Sequence, residues 1–483
     1  MPSKLRVLLI VSEADPLIKI GGLGDVGGAL PPAIRQVAGD EVDIRVAIPF
    51  HGMINTRLYP TRPVISFDVP HGNGPLRADV HETSVDGHTI YLIGGEAIPP
   101  SAPVYSSDLG FDAHKYIFFS MAALEFCKAM QWQPDVIHAN DWHTAAAVYA
   151  IGLNRPRDPF FEHTATIMAV HNLPYLGMGA NLPLTAFGLP PAYGSDLPEW
   201  AVHMPLPLGL LSADHIVAVS PSYAEEILTP EFGSGLHDFL FTRRDSISGI
   251  LNGIDLDRWN PATDTLLPAR FELASLAERA ANKAALLQET GLQPESGPNG
   301  RELPLLAIIS RMDYQKGIDI AASALASLTD IPWQAVILGT GHYELEANIR
   351  TLEQNMPRRV RAIIRFDLTL SRHIYAGSDL LLMPSRYEPC GLAQMIAMRY
   401  GCIPLGRATG GLKDTIVDHP ENGTGFLFSE TTPEGMARTV RRALAAYNEP
   451  DKWQAIQRRG MVADFSWPRS AEQYIQLYRE LKR

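Results

Sequence analysis

Cysteine is nearly absent. The 483 residues hold three, Cys127, Cys390 and Cys402, widely spaced and without CxxC or Cys/His ligand spacing. Neither a disulfide framework nor a zinc site is indicated, and a reducing cytoplasm fits best. A basic surplus is lacking too. With 41 Lys and Arg against 53 Asp and Glu, the net charge of −12 argues against nucleic acid or an anionic membrane as the main partner, though not against a small basic pocket. No apolar run approaches the length that spans a bilayer. Residues 4–11 resemble the charged and apolar parts of a signal peptide, but the run is short and meets Ser12-Glu13-Ala14-Asp15 instead of a small-residue cleavage site. It reads as a buried first strand. Low-complexity tracts are also missing, and 46% hydrophobic with 19% charged residues is globular composition. The length exceeds what one core usually supports, so two domains are expected.

What is present is an alternation of apolar strands and helical runs, with polar residues gathered where strands end. After the first strand, Lys19-Ile20-Gly21-Gly22-Leu23-Gly24-Asp25-Val26-Gly27-Gly28 opens a helix to about Val37. Glycines there permit close approach of a phosphate or sugar, with Lys19 as countercharge; the alternative is tight packing of helix on strand. It is not a Walker loop, because no Gly-Lys-Ser/Thr follows. Strands are predicted at 42–48 and 89–93, with a polar, Pro-rich hairpin excursion between, and a helix at 113–130. The strand around 136–139 ends in His138-Ala139-Asn140-Asp141-Trp142-His143. Asp141, Trp142 and His143 suit a polyol; a metal at His138, Asn140 and His143 is disfavoured by non-helical spacing and the lack of a third ligand. The strand 166–170 ends in His171-Asn172, where His171 is either functional or an ordinary hydrogen-bonded histidine. A further strand and helix cover 213–228.

A hinge is expected near 253–261, with a turn-rich surface loop at 294–300. The alternation then restarts: strand 305–309 leads into Arg311 and Lys316, which are either a fork and point charge for a diphosphate or two solvated cations. Strands are predicted at 333–338 and 361–366, with Phe366 either stacking on a base or joining the core. The apolar run 379–383 breaks at Pro384 and Pro389, placing Ser385-Arg386-Tyr387-Glu388-Pro389-Cys390-Gly391-Leu392 at a strand's carboxyl edge. Helix formers from Leu392 to Tyr400 would aim a helix N-terminus at whatever Glu388 faces; the bland reading is a turn with a solvated acid. Ala408-Thr409-Gly410-Gly411-Leu412 and helices near 433–447, 451–461 and 467–482 complete the chain. Two βα series imply an α/β protein of two doubly wound, Rossmann-like domains facing across a cleft.

Together these stretches resemble the bacterial glycogen synthase and plant starch synthase family, retaining glucosyltransferases of the GT-B type. The signature K-x-G-G-L-x-D-V stands at Lys19 to Val26, and the match continues through His138 to His143, Val170 to Leu173, Ala213 to Pro221, Leu251 to Asp255, Ser310-Arg311 with Gln315-Lys316-Gly317, and Ser385 to Leu392. The resemblance implies an N-terminal acceptor-side domain, 1–253, joined by a returning helix at 464–483, and a nucleotide-sugar domain, 254–463. It also implies transfer of glucose from ADP-glucose to the non-reducing end of an α-1,4-glucan such as glycogen or a maltooligosaccharide. No cofactor or metal is expected, and neither nucleic acid nor membrane as partner.

Residue by residue, the resemblance places Glu388 beside the donor sugar and His171 by the transferred glucose, with Arg311 and Lys316 on the diphosphate. Lys19, Gly22, Phe366, Cys390, Gly391, Leu392, Thr409 and Gly410 would contact the donor. Asp141, Trp142 and Asn172 would handle the acceptor. Two departures stand out: Ala408 precedes Thr409 where the family has Ser or Arg, and Arg365-Phe366 replaces the family's Gly-Tyr at the base. Phe keeps a stacking face without the hydroxyl. A retaining hydrolase would need two carboxyls about 5 Å apart; no such pair is evident, so Glu388 is expected to bind and support rather than attack. A related transferase with another sugar nucleotide or small acceptor, and a catalytically silent binding protein, are the competing expectations. A dinucleotide dehydrogenase is weak, because no acid ends the second strand where it should.

Overall fold

In the computed structural model, which describes residues 4–298 and 300–482, the chain divides into two compact units: Met1–Gly253 with Trp467–Arg483, and Ile254–Ser466. Asn299 of the expected surface loop and Arg483 of the expected return helix lie outside the described residues.

The first unit is built on β1 (Leu5–Ile10), β2 (Val42–Pro49), β3 (Arg62–Val69), β4 (Leu76–Val85), β5 (His88–Gly95), β6 (Val136–Asn140), β7 (Ala165–Val170), β8 (His215–Ala218) and β9 (Ile247–Gly249). They form one sheet in the order β3-β4-β5-β2-β1-β6-β7-β8-β9. The run from β5 to β9 is parallel throughout, and its central members β1 and β7 read as near-continuous apolar stretches because both faces are covered; every residue of β7 is buried. The expected excursion is β3 paired antiparallel with β4, which extends the sheet at one edge, and its half-exposed pattern suits that place. The helix expected from 113 begins at Leu109, because Asp108 caps it by accepting a hydrogen bond from Phe111 N at 3.0 Å.

The second unit holds β10 (Leu305–Ile309), β11 (Gln334–Gly339), β12 (Val360–Ile364), β13 (Leu380–Met383), β14 (Ile403–Arg407) and β15 (Phe426–Phe428). They are all parallel, in the order β12-β11-β10-β13-β14-β15. In the parallel part of each sheet the strand order reverses beside the unit's first strand, between β1 and β6 and between β10 and β13. Ligands of open α/β sheets bind beyond the carboxyl ends of the strands at that switch.

The chain's last helix, Trp467–Leu481, buries Trp467, Ala471, Tyr474, Ile475 and Tyr478 along one stripe in the same core as Leu30 and Ile34 of the helix Gly22–Ala38. Tyr478 Oη lies 2.8 Å from His138 Nδ1. The expected start of the return at 464 is corrected to 467. Residues 464–466 stay with the second unit because Ser466 bridges Ile254, whose N–H donates to Phe465 O at 2.8 Å. Among the described residues no helix is long and apolar enough to cross a membrane.

Candidate active site

In the second unit Lys316 follows β10 and Glu388 follows β13, so the switch brings them together. Lys316 Nζ lies 2.7 Å from both Oε1 and Oε2 of Glu388, and Ser385 Oγ donates to Oε2 at 2.8 Å. Glu388 is 4% exposed, which removes the reading of a solvated turn acid. Three hydrogen bonds thus hold the carboxylate, and its charge and that of Lys316 are fixed at one point. The loops around them are stitched at the backbone. Arg386 bonds Asp319 through both nitrogens at 2.8 and 2.7 Å and donates to Tyr314 O at 2.7 Å, and Arg407 Nε donates to Ser385 O at 2.9 Å. Gly317 sits at φ +67°, where a Cβ would lie 2.0 Å from Pro384 O; only glycine lets these two loops approach so closely.

Arg311, also after β10, is largely exposed and its Nη1 is 3.4 Å from Asp313 Oδ2. Cys390, Thr409 and Gly410 are buried and Gly391 and Leu392 half-buried; Cys390, Gly391 and Leu392 lie on the loop leaving β13, Thr409 on the one leaving β14, and Gly410 opens the helix Gly410–Thr415. The helix expected from Leu392 spans only Ala393–Arg399, with Leu392 as its cap, so the anion-facing charge here comes from side chains more than from a helix end. Phe366 is not a strand residue. β12 stops at Ile364, Arg365 pairs with Asp367 at 2.9 Å, and Asp367 caps the next helix, leaving the Phe366 ring 85% exposed. The core alternative for Phe366 is thereby removed.

The first unit has its own cluster at the switch between β1 and β6. Asp141, at φ +56°, accepts at Oδ1 from the N–H of His171 (2.7 Å) and of Asn172 (3.4 Å), and His171 Nε2 is 2.9 Å from Asn140 Oδ1. Burial pushes the Asp141 carboxyl up to about 7, with those two N–H groups pulling it down and Glu13 pushing it up. Burial also lowers His171 to about 3, so its ring is neutral. Asn172 Oδ1 is buried with no partner, and Trp142 lies half-buried beside His143. The metal reading of His138, Asn140 and His143 is replaced by packing. His138 bonds Tyr478, Asn140 donates to Ile10 O at 3.0 Å, and the His143 ring lies against Tyr116 at 4.6 Å.

The glycine loop divides by role. Gly27 and Gly28 are packing glycines, where a Cβ would lie 2.2 Å from Glu13 O and Asp15 O, while Gly21 and Gly22 are exposed and a Cβ on Gly21 would meet nothing. Lys19 is bonded to Asp25 at 2.5 Å and Asp15 at 3.5 Å, a pairing the sequence reading did not anticipate. Nor did it single out Glu13. That carboxylate is buried, accepts from Ile20 N (2.5 Å) and Gly21 N (3.1 Å), and takes the Tyr105 hydroxyl on its other oxygen. The only signal for it was an acid two residues past the end of a buried strand run.

Two open α/β sheets, wholly parallel in the second unit and parallel from β5 to β9 in the first, each with charged residues at its switch, match the fold of GT-B glycosyltransferases. The same fold is seen at 19% identity, with a TM-score of 0.61 and 99% of each chain covered, in sucrose-phosphate synthase from Thermosynechococcus elongatus. Closer likenesses narrow the class. Residues 6–242 match the starch synthase catalytic domain model, and residues 292–459 match glycosyl transferases group 1. The glycogen synthase of an Anaeromyxobacter species is 39% identical over 99% of both chains, and glycogen synthase 2 of Geobacter sulfurreducens is 37% identical over 98% of both. The catalytic domain of Arabidopsis thaliana starch synthase IV, solved bound to ADP and acarbose, matches at 31% identity with a TM-score of 0.89 over 100% of both chains. The chain belongs to the glycogen and starch synthase family, and it is a glucosyltransferase.

Proposed function

We propose that the protein transfers glucose from ADP-glucose to the non-reducing end of an α-1,4-glucan, with retention of configuration, in the cytoplasm. The observation that carries this reading is the pairing of Lys316 with the buried Glu388 at the switch point of the second unit, with the exposed Arg311 on the same loop as Lys316. The Arabidopsis relative was solved bound to ADP and acarbose, which supports a nucleotide-linked donor. Lys316 and Arg311 meet the charge that grows on the departing diphosphate, and no metal is required for that task. Glu388 binds the donor sugar. With both its oxygens occupied by Lys316 and Ser385 it supports charge rather than attacking carbon, so the acceptor 4-hydroxyl enters on the side of the leaving group.

Lys19 and Gly22 touch the donor, as do Cys390, Gly391, Leu392, Thr409 and Gly410, and Phe366 offers its exposed ring to the base. His171, held neutral, orients the transferred glucose through hydrogen bonding, and Asp141, Trp142 and Asn172 receive the acceptor. The test is turnover of ADP-, UDP- and GDP-glucose on glycogen and maltooligosaccharides, with and without a chelator. Transfer from ADP-glucose at least tenfold faster than from the others, unaffected by chelation, is expected. Preference for another nucleotide would favour the reading in which Phe366 accepts a different base, and no turnover with any donor would overturn both.

A further inference from the structure

We propose that Gln394 is a positioning residue for the nucleotide half of the reaction, tying the loop that follows β13 to the helix Gly410–Thr415 that follows β14; this rests on the donor assignment above. Gln394 has no exposed surface. Its Nε2 is within hydrogen-bonding reach of three acceptors: Cys390 O at 3.1 Å, Gly391 O at 2.9 Å and Thr415 Oγ1 at 3.1 Å. Thr415 Oγ1 in turn donates to Gly411 O at 2.5 Å. One amide and one hydroxyl therefore join the carbonyls of residues 390 and 391 to the carbonyl of residue 411. The amide's orientation is set by this arrangement, since its NH₂ must face carbonyls, and it leaves Oε1 buried without a partner beneath Gly391.

The backbones it joins already touch. A Cβ on Gly411 would stand 1.8 Å from Cys390 O and one on Gly410 2.1 Å from Glu388 O, and Gly411 N donates to Glu388 O at 3.0 Å. The main chain of Glu388 and of Cys390–Gly391 thus takes its position from the first residues of the helix Gly410–Thr415, and Gln394 with Thr415 is the side-chain part of that link. Both are too deeply buried to contact a ligand. Their effect reaches the donor only through the loops, which carry the donor-side assignments Glu388, Cys390, Gly391, Thr409 and Gly410.

The test uses the full-length protein with Gln394→Met, which keeps shape but has no donor, and Thr415→Val, which removes only the hydroxyl. ADP affinity by calorimetry and the KM for ADP-glucose should worsen by about tenfold in Gln394→Met, with the KM for glycogen within twofold of wild type. Hydrogen exchange at residues 388–392 and 409–412 should quicken in both variants. The double variant should be no worse than Gln394→Met alone, because the two groups act as one chain. ADP affinity within twofold of wild type in folded Gln394→Met would overturn the proposal, as would equal losses toward ADP-glucose and glycogen. If Gln394→Met does not fold, unchanged ADP affinity and exchange in Thr415→Val would overturn it. A wild type that neither binds ADP nor uses ADP-glucose refutes the donor assignment instead, and the same loop comparison is then read with the nucleotide that the donor panel selects.

Discussion

Glu388 and Lys316 satisfy one another so fully that each is defined by the other. Glu388→Ala would leave the Lys316 ammonium beside a void and remove the acid from the donor sugar. Transfer is expected to vanish while thermal melting shows the fold retained, at a cost of about 1–3 kcal/mol for the lost partner. Near-normal turnover would sink the assignment. Lys316→Ala should raise the KM for ADP-glucose and slow turnover together, because the charge it meets is largest in the transition state. Steady-state kinetics decides this, and unchanged constants would return Lys316 to the status of a bystander.

Among Asp141, His138 and His171, Asp141 is the one whose charge changes near neutrality, since burial holds the two histidines to about 3. Its carboxyl is raised in the folded protein from an ordinary value of 3.8 to about 7, so burial penalises the ionised form. That relative stabilisation is complete below about 4 and is lost as pH rises through 7. Asp141→Asn keeps the acceptor atom Oδ1 that takes both N–H groups, and without the buried charge it should gain on the wild type between pH 4 and 7. The gain should level off above that at no more than about 4 kcal/mol. Urea unfolding across pH measures it. If the carboxylate receives the acceptor hydroxyl, the wild-type acid limb in kcat/KM should fall near pH 7 and disappear in the Asn variant.

At the scale of elements, the sites lie on loops whose shape depends on glycines pressed against carbonyls. Gly411→Ala would drive a Cβ to 1.8 Å from Cys390 O, so the turn and the Glu388 loop must part. A loss of about 1–3 kcal/mol in stability and a larger fractional loss of donor affinity are expected by denaturation and calorimetry. The same loops show what a sequence discloses. Strand ends marked by Pro384 and Pro389 located Glu388, and the apolar run before Arg311 located Lys316, because a parallel strand buried on both faces has an unmistakable composition and must end at the ligand edge. Glu13 and Gln394 were not legible. Each is a polar side chain that bonds mostly to backbone groups, and its one side-chain partner, Tyr105 for Glu13 and Thr415 for Gln394, is distant in sequence, so no local pattern marks the pairing. Phe366 misled in the other direction. Residues 361–366 read as strand, but Asp367 draws Arg365 away and begins a helix, which exposes the ring.

For the whole molecule, each unit has a core of its own, and only the second is contiguous in sequence. A fragment of residues 254–466 should therefore fold alone, with cooperative melting, and bind ADP. A fragment ending at residue 253 should not, since it lacks the helix Trp467–Leu481 that fills the core along Leu30 and Ile34. Adding residues 467–483 as a separate peptide should restore a cooperative transition, followed by circular dichroism. Both units were visible in the sequence as repeated strand–helix series. The return boundary was three residues early because the bridge from Ser466 to Ile254 is made by backbone and carries no side-chain pattern.

The placement of that last helix also bears on how the chain is made. A ribosome finishes β1 to β9 long before Trp467 exists, and at about 5–20 residues per second the whole second unit must be synthesised in between, roughly ten seconds or more. Throughout that interval the nascent first unit carries an uncovered apolar groove along the helix Gly22–Ala38, and the later unit has all its residues at Ser466, before the last helix exists. The order of completion is thus the reverse of the order of synthesis, and the early, unfinished unit is the one expected to engage chaperones on the translating ribosome.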